Sequence, residues 1–203
     1  DCYRTISRLA SHLHLPVQSG SDAVLQRMGR HHKIETYLRQ MERLRDFVPE
    51  IGLSTDIIVG FPGETDEDFQ ATLRMLDRLQ LDNVYAFAYS SRPGTRAEKL
   101  ADDVSKSEKN RRLNVLLKHQ LAISERRYAA KLDRTMEILV EGPARHDYLL
   151  RDRAVVGTVY MGRTTCNRVV NLVSESPRDL TGQFVLVKIV DTANLSLQGE
   201  VVH

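Results

Sequence analysis

The first part of the chain alternates short apolar segments with longer amphipathic ones. Three apolar runs have the length and composition of buried strands, at residues 12–17, 51–59 and 83–89. Three other segments repeat apolar residues every three or four positions, as one face of a helix does, at residues 34–48, 65–80 and about 105–128. Because parallel strands need crossovers of about a dozen residues, this order predicts a parallel α/β sheet or barrel.

From about residue 134 the pattern changes to short β-branched runs separated by Gly, Asn, Ser-Pro and Asp. Examples are "TMEILVEG", "DRAVVGTVYMGRT", "NRVVNLV" and "GQFVLVKIVDT". The segment has no helical period, and its texture is typical of a small all-β domain, which we expect to be a five-stranded barrel. The sequence therefore predicts two domains, residues 1–132 and 133–203.

Composition narrows the class of protein. The 203 residues are 41% hydrophobic and 28% charged, which is ordinary for a globular protein. No apolar run approaches the roughly 18 residues of a membrane span, so we expect no membrane association. Cys2 and Cys166 are the only cysteines, which argues against a disulfide framework and favours the cytoplasm. The net charge of +2 means that any nucleic-acid binding must depend on local basic patches.

Polar loops follow each of the three predicted strands of the first domain. They read "QSGSD", "GFPGET" and "SSRPGT". Since ligands bind at the carboxyl ends of parallel strands, the three loops together predict one site. An alternative for "GFPGET" is a strand-to-helix turn with no further role.

Three residues near these loops are candidates for ligand binding, each with a structural alternative. Asp56 interrupts an apolar strand, where a carboxylate needs a partner; it either has a structural partner or binds ribose hydroxyls. Arg30 either caps the preceding helix or binds a carboxylate. Gln18 either binds a polar ligand edge or stabilises its own turn.

Several stretches of the sequence resemble a known protein family. "HLHLPVQSGSDAVLQRMGRHH", "STDIIVGFPGETDEDF" and "YAFAYSSRPGTRAEKL" resemble the second half of the radical S-adenosylmethionine (SAM) domain of tRNA methylthiotransferases. "ILVEG", "GRTTCNRVVN", "LTGQFVLVKI" and "LSLQGEVV" resemble the RNA-binding TRAM domain of that family. The resemblance implies an α/β fold: the C-terminal half of a radical SAM partial TIM barrel, followed by a small all-β TRAM barrel.

The resemblance also implies an activity. "LPVQSGS" is similar to the enzymes that add a methylthio group to C2 of N6-isopentenyladenosine beside the anticodon. Implied cofactors are S-adenosylmethionine and two 4Fe-4S clusters, and implied partners are tRNA and an electron donor such as flavodoxin or ferredoxin. The alternatives are a methylthiotransferase for threonylcarbamoyladenosine and a non-catalytic RNA-binding fragment.

The resemblance assigns roles to individual residues. Gln18, Arg30 and Asp56 match the family positions that hold S-adenosylmethionine: Arg30 for the methionine carboxylate and Asp56 for the ribose hydroxyls.

If the β-domain binds RNA, Arg163, Asn167 and Arg168 are expected to contact phosphates. Phe184 or Tyr160 would then offer a stacking face, unless both belong to the core.

The chain departs from the family in its cysteines. The family carries a CxxxCxxC motif and three further cysteines that hold the two clusters, and this sequence has neither set. No catalytic or metal-binding residue is therefore assigned, and we expect a truncated form that is inactive alone. A half barrel would also leave an open sheet edge, which favours association.

Overall fold

The structure is a computed structural model that describes residues 2–144, 157–193 and 195–202. The helices are α1 (Cys2–Thr5), α2 (Asp22–Arg27), α3 (Ile34–Phe47), α4 (Asp66–Leu79) and α5 (Lys106–Ala129), with a 3-10 turn at Arg96–Lys99. The strands are β1 (His12–His14), β2 (Gly52–Val59), β3 (Asn83–Ala88), β4 (Thr135–Pro143), β5 (Thr158–Thr164), β6 (Val169–Ser174), β7 (Phe184–Ala193) and β8 (Ser196–Val201). Among the described residues, no helix has both the length and the apolarity to cross a membrane.

The chain divides into two compact units, Leu13–Ser124 and Asp1–His12 with Glu125–His203. The division falls inside α5, whereas the composition change predicts a boundary near residue 132. That boundary stays a prediction.

The first unit contains a three-stranded sheet in the order β1-β2-β3. Strands β2 and β3 are parallel, from Ser54 opposite Asn83 to Val59 opposite Ala88. The crossover between them includes α4, which begins with the capping box expected from the sequence, with Thr65 as its N-cap. The predicted parallel α/β arrangement is therefore confirmed.

Strand β1 is shorter than the sequence pattern predicts. It ends at His14 instead of residue 17, because Pro16 has no N–H to continue the ladder. The Val17 N–H donates instead to the Thr55 hydroxyl oxygen at 2.9 Å. Pairing with β2 resumes at a single bridge between Gln18 and Ile57.

The second unit contains a closed barrel in the order β4-β5-β6-β8-β7, as the sequence predicts. Its core comprises apolar residues from every strand together with Tyr128 of α5. Closure brings backbones close together: a Cβ at Gly162 would collide with the main chain of Leu139 in the neighbouring strand. The run "DRAVVGTVYMGRT", which we expect to contain a strand, begins at residue 152, and its residues 152–156 lie outside the described residues.

Candidate functional site

A pocket of about 650 Å³ opens at the carboxyl ends of β2 and β3 in the first unit. All three polar loops singled out in the sequence contribute to it, for example through Phe61 and Arg92. The structure brings Gln18, Arg30 and Asp56 together in its wall. The pocket is therefore the candidate site.

Gln18 lies at the point where the first loop rejoins the sheet. Its N–H donates to the Asp56 carbonyl and its carbonyl accepts from the Ile58 N–H, both at 2.9 Å. Its φ is +78°, a left-handed conformation that is uncommon outside glycine and that clusters at functional sites. These two hydrogen bonds hold Gln18 directly beside Asp56.

Asp56 lines the pocket with a side chain that is 30% exposed, so it is less buried than its apolar neighbours suggested. Its Oδ1 lies 3.3 Å from His14 Nε2. His14 Nδ1 in turn lies 2.9 Å from the Ser54 hydroxyl, and the His14 ring meets the Tyr85 ring edge-on. The partner of Asp56 is thus a histidine that sequence reasoning did not select, although His14 alternates with the apolar residues of the same strand.

Arg30 follows the end of α2, and its backbone supplies the cap. The Arg30 N–H donates to the Leu25 carbonyl and the Gly29 N–H to the Gln26 carbonyl, with Gly29 at φ +73°. This pattern is a Schellman motif. Within the described ranges the Arg30 guanidinium has no hydrogen bond or ion pair, and it lines the pocket. The cap therefore does not use the Arg30 side chain.

The "GFPGET" loop is held by a buried ion pair. Glu64, 4% exposed, accepts from the Gly60 N–H at 2.5 Å and from Arg112 Nη1 at 2.8 Å. Burial raises the pKa of Glu64 above its usual value, while the hydrogen bond from Arg112 opposes that rise. Gly60 has φ +69° and packs against the stem of Lys109. The loop is thus a firmly connected turn, and Phe61 within it forms part of the pocket wall.

The basic residues assigned to the second unit do not all reach the surface. Arg163 is partly exposed and donates to Asn167 Oδ1 at 3.1 Å, which keeps these two side chains together. Arg168 is only 1% exposed; its Nη1 donates to Cys166 Sγ at 2.5 Å, and its guanidinium lies over the Tyr128 ring. The Arg168 guanidinium is thus enclosed by the unit's own interior, and its contact with phosphate stays a prediction.

The two candidate stacking residues, Tyr160 and Phe184, also differ in their exposure to solvent. Tyr160 is 4% exposed and belongs to the barrel core, whereas Phe184 is 64% exposed. Leu139 pairs with Phe184 on one side and with Arg163 on the other. The outer face of the barrel therefore carries a row in which an aromatic ring, an aliphatic side chain and a guanidinium are neighbours.

The residues of this chain do not fit an iron–sulfur cluster. Such clusters are held by about four cysteine thiolates, and the sequence has two cysteines, of which Cys166 is buried and Cys2 exposed. The described part of the chain also contains no group of three or more His, Cys, Asp or Glu side chains arranged to hold a metal. The two thiols of this chain are too few to ligate such a cluster.

Comparisons with known proteins show which proteins this chain is similar to. Residues 2–76 match the Radical SAM superfamily. The chain is 44% identical over its full length to the tRNA-2-methylthio-N(6)-dimethylallyladenosine synthase of Pasteurella multocida (strain Pm70). The predicted family resemblance is confirmed. The synthase of the same name from Pseudoalteromonas atlantica is 43% identical, again over the full chain.

The match covers only part of these relatives. The chain spans 40% of the length of the Pasteurella and Pseudoalteromonas proteins and matches their C-terminal part. Among solved structures, coproporphyrinogen III oxidase from Escherichia coli has 16% identity and a TM-score of 0.49, covering 88% of this chain and 41% of that one.

The buried Glu64–Arg112 pair leads to a prediction about stability. Arg112→Met removes the cation beside a buried carboxylate, so the free energy of unfolding should fall by about 3–5 kcal/mol. The pKa of Glu64 in the folded protein then rises further above its unfolded value. The folded state therefore keeps a proton that the unfolded state releases, and the loss should be larger near pH 8 than near pH 5. Urea denaturation at both pH values measures this.

The control is Arg111→Met, which removes an exposed arginine one position earlier in α5. It should leave the free energy of unfolding nearly unchanged, because exposed ion pairs contribute little to stability. A loss for Arg112→Met that matches the control, or that does not vary with pH, would show that the pair does not hold the loop.

Proposed function

We propose that this chain is the part of a radical SAM tRNA methylthiotransferase that holds S-adenosylmethionine and contacts tRNA. The reaction would place a methylthio group on C2 of N6-isopentenyladenosine beside the anticodon. The observation that carries the proposal is the convergence of Gln18, Arg30 and Asp56 on one pocket, in a chain whose relatives are named for this product.

The chemistry of the three side chains suits S-adenosylmethionine. The Arg30 guanidinium, which makes no ion pair with other described residues, can bind the methionine carboxylate through two parallel hydrogen bonds. The Asp56 carboxylate can accept hydrogen bonds from both ribose hydroxyls, and the Gln18 amide can both donate to and accept from a polar edge. When bound, S-adenosylmethionine supplies the radical of the family's chemistry; these residues supply binding and orientation.

The barrel supports a role in RNA binding, and we propose that it acts as the TRAM domain of the protein. Arg163 and Asn167 would contact phosphates while Phe184 offers a stacking face, and Leu139 between them provides an apolar contact. Arg168 is left out of this set because its guanidinium is buried. An electron donor such as flavodoxin or ferredoxin, and a location in the cytoplasm, remain part of the proposal on the strength of the family resemblance.

The reaction is tested on cellular tRNA. Deleting the gene should abolish 2-methylthio-N6-isopentenyladenosine and leave N6-isopentenyladenosine in its place, because only the methylthio step is removed. Mass spectrometry of tRNA nucleosides measures both, and re-expression of the intact gene is the control. An unchanged level of the methylthio nucleoside would contradict the proposal. Loss of the methylthio derivative of threonylcarbamoyladenosine instead would favour that second substrate.

The role of Asp56 is tested by Asp56→Ala in the whole protein. Loss of a charged hydrogen-bond acceptor costs about 1.5–3 kcal/mol, so the Kd for S-adenosylmethionine should rise roughly ten- to hundredfold. Isothermal titration calorimetry gives the Kd, and thermal denaturation gives the stability. Asp46→Ala, an exposed aspartate of α3, is the matched control and should leave both unchanged. Normal affinity with a lowered melting temperature would make Asp56 a structural acid.

The RNA-binding role of the barrel is tested by Arg163→Gln. If Arg163 contacts a phosphate, the variant should bind tRNA more weakly, and the slope of log affinity against log salt should fall by about 1. Fluorescence anisotropy over a range of salt concentrations measures both. Arg39→Gln, an exposed arginine of α3 in the other unit, is the control for charge alone. Equal effects of the two variants, or an unchanged salt slope, would exclude a specific contact at Arg163.

A further inference from the structure

The pocket carries more positive charge than its proposed cofactor requires. Four arginines line it, Arg27, Arg30, Arg92 and Arg96, against the single carboxylate of Asp56. Of these, Arg27 is committed elsewhere: it donates to the Gly63 carbonyl at 2.8 Å and lies 3.4 Å from an Asp68 carboxylate oxygen. The other three guanidiniums have no hydrogen bond or ion pair with the described residues.

The loop after β3 is built so that it presents Arg92 and Arg96. The Gly94 N–H donates to the Glu98 carboxylate at 2.7 Å, and the Thr95 hydroxyl donates to the Arg92 carbonyl at 2.8 Å. The hydroxyl of Tyr89 donates to the Ala97 carbonyl at 3.3 Å. The Glu98 carboxylate therefore helps to fold the loop, and among the described residues no ion pair joins it to either arginine.

Arg96 also lies close to the backbone at the end of α2, which carries Arg30. Its Nη1 is 3.7 Å from the position that a Cβ would take at Gly29, the residue just before Arg30. Like charges gathered on one wall repel each other unless an anion lies between or beside them. This arrangement favours a ligand with negative charge at the rim of the pocket.

S-adenosylmethionine does not provide that charge. It carries a positive sulfonium, a positive ammonium and one carboxylate at neutral pH, so it is a net cation, and its carboxylate needs only Arg30. Arg92 and Arg96 are left over for a second ligand. An RNA strand is such a ligand, because each nucleotide brings a phosphate that arginine binds through paired hydrogen bonds.

We propose that Arg92 and Arg96 form a phosphate subsite that holds the RNA backbone next to the base presented to the pocket. This inference rests on the proposed function, since it takes the second ligand to be tRNA. In this role the two arginines position the substrate strand, and they do not contact the reacting atoms. The loop after β3 thus binds the substrate, whereas Gln18, Arg30 and Asp56 bind the cofactor.

The test uses Arg92→Gln, Arg96→Gln and the double variant in the whole protein, with Arg39→Gln as the control. Each single variant should weaken binding of an anticodon stem-loop RNA about tenfold and lower the salt slope by about 1, and the double variant should lower the slope by about 2. The Kd for S-adenosylmethionine and the melting temperature should stay unchanged. Anisotropy, calorimetry and thermal denaturation give the three quantities.

A modified RNA makes the test specific for phosphate. A stem-loop with a neutral methylphosphonate linkage beside the target adenosine should bind the intact protein as weakly as the variants bind normal RNA. With that RNA, Arg92→Gln and Arg96→Gln should cost nothing more. If Arg92→Gln and Arg96→Gln still weaken binding of the neutral RNA, whichever linkage beside the adenosine is made neutral, the subsite is refuted.

The outcomes separate the two proposals. Weaker binding of S-adenosylmethionine with unchanged RNA binding would make the arginines cofactor ligands and refute the subsite. RNA binding equal to that of Arg39→Gln would refute it as well. If the arginines prove necessary for RNA binding but tRNA from the deletion strain is unchanged, the subsite stands and the proposed reaction fails.

Discussion

The candidate site depends on how the Gln18 backbone is joined to β2. Its two hydrogen bonds, to the Asp56 carbonyl and from the Ile58 N–H, are made by a residue at φ +78°. These two bonds are the last that this segment makes with β2, and they place Gln18 beside Asp56. The next residues turn directly into α2, where the Ser21 hydroxyl accepts from the Val24 N–H. The Schellman motif at the end of α2 then brings Arg30 to the pocket.

Around this junction, charge is divided between structure and ligand binding. The buried Glu64–Arg112 pair and the Lys109–Asp102 pair connect α5 to the loops that carry Glu64 and Asp102, and each of these ions has a partner of opposite charge within the protein. In contrast, Arg30, Arg92 and Arg96 face the cavity with no ion-pair partner in the described part of the chain. Buried ions without partners are costly, so a protein can keep unpaired guanidiniums only where solvent or a ligand reaches them. The pocket is such a place.

Much of the fold, and the place of the candidate site within it, could be predicted from local sequence. The helices α3 and α4 have clear apolar periods, and "TDED" gives a capping box whose geometry is fixed within four residues. The alternation of β-branched residues with Gly and Asn after residue 134 was sufficient for a five-stranded barrel. The rule that loops at the carboxyl ends of parallel strands meet placed three separated loops at one pocket before their geometry was known.

Contacts between residues far apart in sequence were decided by the tertiary structure alone. Nothing near Asp56 indicated that its partner would be His14, because their contact requires β1 and β2 to pair in this register. Arg168 and Arg163 are equally basic in the sequence, yet the barrel buries one guanidinium on Cys166 and leaves the other beside Asn167. Local pattern determines which element a residue occupies, since periodicity and capping act over a few residues. Which face and partner it meets depends on packing across the whole fold.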